Sequence, residues 1–159
     1  MMKQHLIKNL LLALFILPTV CLAQQQVDSN QVAIRAFYSS YAVIYQSPNF
    51  DDYYKKYSAL LDEYASSSFK QSILSGLDDP NIPPLDIATD DNGIQAQYLG
   101  NLKVEKRGAY YLVRYPIYDS DEKKYIEIGL KITLDSHGKI QSVAGSYTKE
   151  INNPTDLNK

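Results

Sequence analysis

The hydrophobic pattern of this chain changes its period once, near Gly93, and that change constrains the fold more than any other feature. Before Gly93, apolar residues recur every three to four positions, which is the spacing of one face of a helix. After Gly93, apolar and polar residues alternate, which is the pattern of a half-buried strand. Helices followed by a run of antiparallel strands predict an α+β fold, with the helices packed on one face of a mainly antiparallel sheet.

Three helices are predicted before Gly93. Asp28 can cap the first one, Gln31 three residues later completes a capping-box pattern, and Pro48 stops the helix because it disfavours helical geometry in the residue before it. The second helix is predicted over residues 51–66. A short third helix ends beyond Gly76. The predicted buried stripe of the first helix consists of Ala33, Phe37, Tyr41, Ile44 and Tyr45.

Five strands are predicted after the change of period. They lie near residues 95–99, 102–106, 109–118, 125–134 and 139–147. The polar segment 151–159 is predicted to be a flexible C-terminal tail, because it carries Pro154 and no alternating pattern. A single domain over residues 24–150 follows from this division.

One strand pair has a register that the residues themselves specify. Antiparallel pairing of Tyr118 with Tyr125 brings apolar or aromatic residues opposite one another along both strands, and a one-residue slip would mismatch them. The predicted core face consists of Tyr111, Val113, Tyr115 and Ile117 with Ile126, Ile128, Leu130 and Ile132. Arg114 then faces away from the core, opposite Gly129, whose missing side chain leaves room for the guanidinium group.

The face opposite the predicted core is a candidate surface for binding a partner. It carries Tyr110, Leu112, Arg114, Tyr118 and Tyr125. Tyr and Arg are enriched at protein interfaces because they supply a large contact area at a low cost in conformational entropy. A protein partner or a second copy of the chain could therefore bind this face, and the alternative is that the chain's own loop or tail covers it.

The N-terminus has the pattern of a secretory signal peptide over residues 1–23. Lys3 and Lys8 precede a short apolar run, and Ala23 supplies the small residue before a polar start. We expect cleavage after Ala23, a periplasmic or secreted mature protein, and no membrane contact after cleavage. Lipid attachment at Cys21 is the alternative, and the preceding Val20 fits it less well.

Charge and cysteine content exclude several classes of function. The chain has 16 basic and 18 acidic residues, a formal net charge of −2, which argues against non-specific nucleic-acid binding. Cleavage would remove two of the basic residues and lower the net charge to −4, which suits a basic partner. It would also remove Cys21, the one cysteine, so that no thiol remains for a disulfide, a metal or catalysis. The sequence predicts no metal and no cofactor.

Histidine and paired acids are the remaining candidates for chemistry. His137 lies in a predicted turn beside Gly138, where an exposed histidine has no catalytic partner. The acid pairs 51–52, 78–79 and 90–91, and the acids within 119–122, lie at helix starts or in loops. Asp is favoured there for capping and turn formation, so these residues indicate structure rather than catalysis. No catalytic residue is assigned from the residues alone.

Residues 37–41 (Phe-Tyr-Ser-Ser-Tyr), residues 53–57 (Tyr-Tyr-Lys-Lys-Tyr) and the closing strand pair resemble one known superfamily. The resemblance is to uncharacterised secreted bacterial members of the nuclear-transport-factor-2-like superfamily, cystatin-like α+β proteins, and it covers residues 27–147. It implies a cone formed by a curved sheet folded over N-terminal helices. The superfamily includes isomerases and dehydratases that use an Asp or His with Tyr inside the cone. By this resemblance Asp86, near the mouth of the cone, could form such a site with Tyr111 and Tyr115, which point toward the predicted core.

Two functions follow as expectations. The first is an exported, non-enzymatic binding protein that meets its partner through the tyrosine-rich sheet face, for example an immunity or inhibitor protein for a basic partner. The second is a small-molecule-binding or isomerase/dehydratase-like protein with a pocket inside the cone, lined by Asp86, Tyr111 and Tyr115.

Overall fold

The computed structural model describes residues 28–77 and 86–158, and the predicted signal peptide and the acid pair 78–79 lie outside these ranges. The α-helices are α1 (Ser29–Tyr45), α2 (Phe50–Tyr64) and α3 (Ser67–Leu77). The strands are β1 (Lys103–Arg107), β2 (Tyr110–Asp119), β3 (Lys124–Leu134) and β4 (Ile140–Ile151). A 3-10 helix precedes β1 (Ala96–Asn101) and another follows β4 (Pro154–Asn158). The predicted α+β fold, helices first and antiparallel strands afterwards, is confirmed.

The strands form one antiparallel sheet in the order β1-β2-β3-β4. Tyr118 lies opposite Tyr125 and Arg114 lies opposite Gly129, so the predicted register of β2 and β3 is confirmed along the whole pair. The four β2 residues and four β3 residues predicted to share the core face all lie within the core or packed against it. Register is well determined here because a slip would expose every one of these side chains.

Helix α1 buries a wider arc than its predicted stripe. Ile34 and Tyr38 are buried beside Phe37 and Tyr41, whereas Tyr45 is 46% exposed. The reason is that α1 packs against both α2 and β1, so two neighbours cover two sides of the helix. A single stripe at helical spacing describes only one of these contacts.

The start of α1 is capped as predicted, but the capping box does not close. The carboxylate of Asp28 accepts a hydrogen bond from the backbone N–H of Asn30 at 2.9 Å. The side-chain amide of Gln31 instead donates to the carbonyl oxygen of Val104 at 3.0 Å. Arg35 donates to the carbonyl oxygen of Leu102 at 2.7 Å. These two side chains therefore tie α1 to the start of β1.

Two predicted segments differ from the structure. Residues 95–99 do not form a strand, and the side chain of Gln95 instead pairs with both backbone groups of Tyr118, at 3.0 and 2.9 Å. The C-terminal segment, predicted to be without regular structure, contributes Ile151 to β4 and buries Leu157 in the last 3-10 helix. That helix packs against β2, β3 and the first 3-10 helix.

Candidate functional site

The register of the strands assigns each side chain to the inner face, against the α-helices, or to the outer face. All five residues predicted as a partner-binding surface lie on the outer face, as do Glu105, Glu127 and Tyr147. None of these outer-face residues belongs to the core cluster that α1, α2 and α3 form with the inner face. The α-helices therefore leave the outer face uncovered, and the two 3-10 helices lie at its Tyr125 end.

Arg114 lies near the centre of the outer face and is held by two carboxylates. It pairs with Glu105 on β1, and its Nη1 lies 3.5 Å from Oε1 of Glu127 on β3. Arg107 also pairs with Glu105. Burial alone would lower the pKa of Arg114, but the hydrogen bond and the charge of Glu105 outweigh it and raise the pKa overall. The guanidinium group is thus fixed in place by residues of its own chain.

The space above Gly129 is filled by the ring of Tyr147, which the alternation of apolar residues does not single out. A Cβ atom placed on Gly129 would lie 2.5 Å from Cε1 of Tyr147, so only glycine admits the ring at this position. The hydroxyl group of Tyr147 donates a hydrogen bond to Glu127, which is 6% exposed. Burial, followed by the neighbouring Glu127 carboxylate, raises the pKa of Tyr147 to about 12. Gly129 therefore makes room for Tyr147 rather than for Arg114.

Tyrosine rings occupy two further parts of the outer face. The rings of Tyr118 and Tyr125 lie with their centroids 5.0 Å apart, and Tyr98 contacts Tyr125 edge-on at 5.8 Å. The ammonium group of Lys131 lies 4.9 Å from the centroid of Tyr110. Tyr98 belongs to the first 3-10 helix, and the strand predicted over residues 95–99 gives no reason to expect its contact with Tyr125.

The outer face is positively charged, although the chain as a whole is negative. Its register places five basic residues there against two carboxylates, a formal excess of three positive charges. The basic residues are Lys103, Arg107, Arg114, Lys131 and Lys149. Within the described part of the chain, Lys103 and Lys149 form no ion pair.

A second polar cluster lies on the helical side of the sheet, around Asp86. The hydroxyl group of Tyr41 donates to Oδ1 of Asp86 at 2.6 Å, and the hydroxyl group of Thr89 donates to Oδ2. Tyr38 donates to the carbonyl oxygen of Ala88 at 2.8 Å. Burial raises the pKa of Asp86 above its ordinary value, against the opposing effect of the two hydroxyl groups. Two tyrosines of α1 thus hold the segment that follows residue 85.

The structure brings together two of the three residues predicted to line a pocket. Tyr115 is close to Asp86, since burial and then the Asp86 charge raise the pKa of Tyr115. The Tyr115 hydroxyl group is buried, and the nearby Thr89 hydroxyl group lowers its pKa, but no described atom makes a hydrogen bond of normal geometry with it. Tyr111 lies elsewhere, because its hydroxyl group donates to Asp28 at 3.0 Å, at the opposite end of α1 from Tyr41.

An open cleft of about 340 Å³ lies between the Asp86 segment and β4. It is lined by Asp90, Asn92, Gly145, Ser146, Tyr147 and Thr148. Asp90 and Asp91 both have a left-handed backbone, with φ of 52° and 60°. The carboxylate of Asp90 lies so close to Gly145 that a Cβ atom there would overlap it. The small side chains of β4 therefore make room for the loop that carries Asp90, and they do not form a deep pocket.

The remaining candidates for chemistry have structural roles where the structure describes them. His137 is exposed in the β3–β4 turn, and its backbone N–H donates to Asp135 at 2.8 Å. Asp51 and Asp52 lie in the first turn of α2. Asp119 accepts backbone hydrogen bonds in the β2–β3 turn. Residues 28–77 and 86–158 contain no group of three or more His, Cys, Asp or Glu side chains placed to hold a metal ion.

Comparison with known proteins identifies a structure of similar fold but gives no information about function. No protein-family model matches the chain, and no curated protein matches it. A crystal structure of a protein of unknown function from Bacteroides thetaiotaomicron VPI-5482 is similar, with a TM-score of 0.54 and 13% identity. The match covers 73% of this chain and 88% of that chain. At this identity the likeness shows a shared fold alone.

Proposed function

We propose that this chain is an exported, non-enzymatic binding protein whose outer sheet face is the binding surface. The observation that carries the proposal is that the α-helices leave this face uncovered while its side chains are already held in position. Arg114 is fixed by Glu105 and Glu127, and Tyr147 is fixed over Gly129. Side chains that are ordered before binding lose less conformational entropy on association, which favours affinity.

Export is supported by the signal-peptide pattern of residues 1–23 and stays a prediction. None of the helices in the described ranges is long and apolar enough to cross a membrane. Membership of the nuclear-transport-factor-2-like superfamily, and a role as an immunity or inhibitor protein, likewise stay predictions.

Site-specific photo-crosslinking in cells that export the chain tests the binding surface. A photoreactive phenylalanine analogue replaces Leu112 on the outer face, and the same analogue replaces exposed Lys55 on α2 as the matched control. We expect discrete adducts from position 112 and none from position 55. Equal labelling from both positions, or none from position 112 in a folded variant, would contradict the proposal.

A small-molecule site near Asp86 is the second candidate, and the buried hydroxyl group of Tyr115 supports it. A buried hydroxyl without a protein partner is normally satisfied by water or by a ligand. Asp86 and Thr89 lie beside it, so the cluster offers a carboxylate and two hydroxyl groups. This is the donor set that proton transfer at a polar substrate would use.

Phenol is a suitable probe for this second candidate, since its ring and oxygen match a pocket lined by tyrosines. If the cluster binds small molecules, millimolar phenol shifts the amide resonances of Asp86, Thr89 and Tyr115, and Tyr115→Phe weakens that effect. If the hydroxyl is merely packed, phenol shifts none of them. In that case Tyr115→Phe leaves the free energy of unfolding unchanged or slightly higher, because it removes an unsatisfied polar group.

A further inference from the structure

We infer that the partner of the outer face is an acidic segment of another protein, an inference that rests on the proposed function and specifies its chemistry. The net charge of the whole chain points to a basic partner, but that charge is not evenly distributed. Five basic residues share the outer face with two carboxylates. The surplus acids of the chain therefore lie elsewhere, and a basic partner would meet like charge on this face.

The two carboxylates of the outer face do not oppose an acidic partner, because both are already paired. Glu105 binds Arg107 and Arg114, and Glu127 binds Arg114 and the hydroxyl group of Tyr147. No described acid pairs with Lys103 or Lys149. Their charges are therefore available to a partner.

The available cations are spread across the sheet. Lys103 lies on β1 beside Arg114, Lys131 lies on β3, and Lys149 lies on β4 opposite Glu127. β1 and β4 are the two edges of the sheet, so three strand spacings of about 4.8 Å and an offset of two residues along the strand put Lys103 and Lys149 roughly 16 Å apart. Carboxylates on an extended or helical peptide can reach cations at this spacing while its apolar atoms contact Leu112 and Tyr147.

The same face is poorly suited to single-stranded nucleic acid. Binding of that kind needs free aromatic faces for base stacking beside a continuous basic groove. Here Tyr118 and Tyr125 contact each other, and Lys131 covers Tyr110. Glu105 and Glu127 also interrupt the row of cations. Protein carboxylates, which meet basic residues one at a time, fit this arrangement better.

Fluorescently labelled poly-L-glutamate is the probe for the test, with binding followed by anisotropy at low and moderate salt. Lys103→Glu/Lys149→Glu changes two of the three outer-face lysines that form no ion pair among the described residues, and leaves Lys131 over the Tyr110 ring. The matched control is Lys55→Glu/Lys123→Glu, which makes the same change in net charge on α2 and in the β2–β3 turn. We expect the unaltered protein to bind, the outer-face double variant to lose at least about tenfold in affinity, and the control to stay within about twofold.

Several outcomes would overturn the inference. Absence of binding to poly-L-glutamate, or equal losses in both double variants, would show that the local charge of the outer face does not select the partner. Tighter binding to single-stranded DNA or to phosphatidylglycerol vesicles would assign the face to another polyanion. Self-association in sedimentation experiments that the outer-face double variant abolishes would assign it to a second copy. Crosslinking at position 112 that persists in any of these cases would leave the proposed function standing.

Discussion

Val113→Asp is expected to lower the free energy of unfolding by about 4 kcal/mol, a large fraction of the roughly 5–15 kcal/mol that stabilises a typical domain. Val113 is fully buried on the inner face of β2, opposite Leu130 and beside the helices. An aspartate there would be a charge without a partner in the core, or a protonated carboxyl with no hydrogen-bond acceptor. Urea denaturation followed by circular dichroism measures the loss, and a variant that unfolds at the unaltered midpoint would place Val113 outside the core.

Leu112→Asp is the matched control, because it introduces the same side chain one residue away on the outer face. The new carboxylate would lie between Lys131 on β3 and Glu105 on β1, so attraction and repulsion partly cancel, and we expect a change of about 1 kcal/mol or less. Equal effects at the two positions would mean that the faces of β2 are assigned the wrong way round. The outer-face proposal would then fail as well.

Arg114→Ala is expected to fall between these two variants. The position of Arg114 on the outer face, opposite a glycine, suggests that its loss would barely change the free energy of unfolding. However, Arg114 is the counter-ion of Glu127, which is 6% exposed. Removing Arg114 leaves that carboxylate with the Tyr147 hydroxyl group alone, so we expect a cost of about 2 kcal/mol. The denaturation experiment used for Val113→Asp measures it.

The strand register could be predicted from the sequence because it depends on a repeated feature. Each of four neighbouring pairs along β2 and β3 is apolar, and all of them fail together when the strands slip. The same reasoning did not determine the position of β4. Its sequence Ser142-Val143-Ala144-Gly145-Ser146 has little alternation, and two bulges interrupt its pairing with β3. Tyr147 was therefore missed, although it completes the centre of the outer face.

The polar contacts that position the site could not be predicted for a different reason. Gln31 binds β1, Gln95 binds the open edge of β2, and Tyr41 binds Asp86, each over a long distance in the sequence. Such contacts follow no helix or strand period, because a single side chain makes each one after the chain has folded. Hydrophobic periodicity therefore predicts layers and faces, whereas the electrostatics of a site depend on individual tertiary contacts.

Asp86→Ala is expected to destabilise the protein by roughly 3 kcal/mol relative to Asp86→Asn. Both substitutions remove the charge, but asparagine keeps one oxygen that can accept from one of the two hydroxyl groups, and its amide nitrogen can donate to the oxygen of the other. In the alanine variant these two donors are left without that acceptor in a region from which water is largely excluded. Chemical denaturation of the two variants at neutral pH gives the difference directly, and equal stabilities would show that the hydrogen bonds contribute nothing.

The dependence of stability on pH separates the charge of Asp86 from its hydrogen bonds. Burial raises the folded-state pKa of Asp86 above the ordinary value of 3.8, so the folded protein holds this proton more tightly than the unfolded chain does. The resulting stabilisation is complete below pH 3.8 and is lost as the pH rises through the folded-state pKa. The stability of the unaltered protein minus that of Asp86→Asn should therefore fall across that interval and stay constant above it.

Subtraction removes the contributions of Asp28, Glu105 and Asp135, whose lowered pKa values act in the opposite direction in both proteins. A difference that rises with pH would mean that Tyr41 and Thr89 stabilise the Asp86 carboxylate more than burial disfavours it.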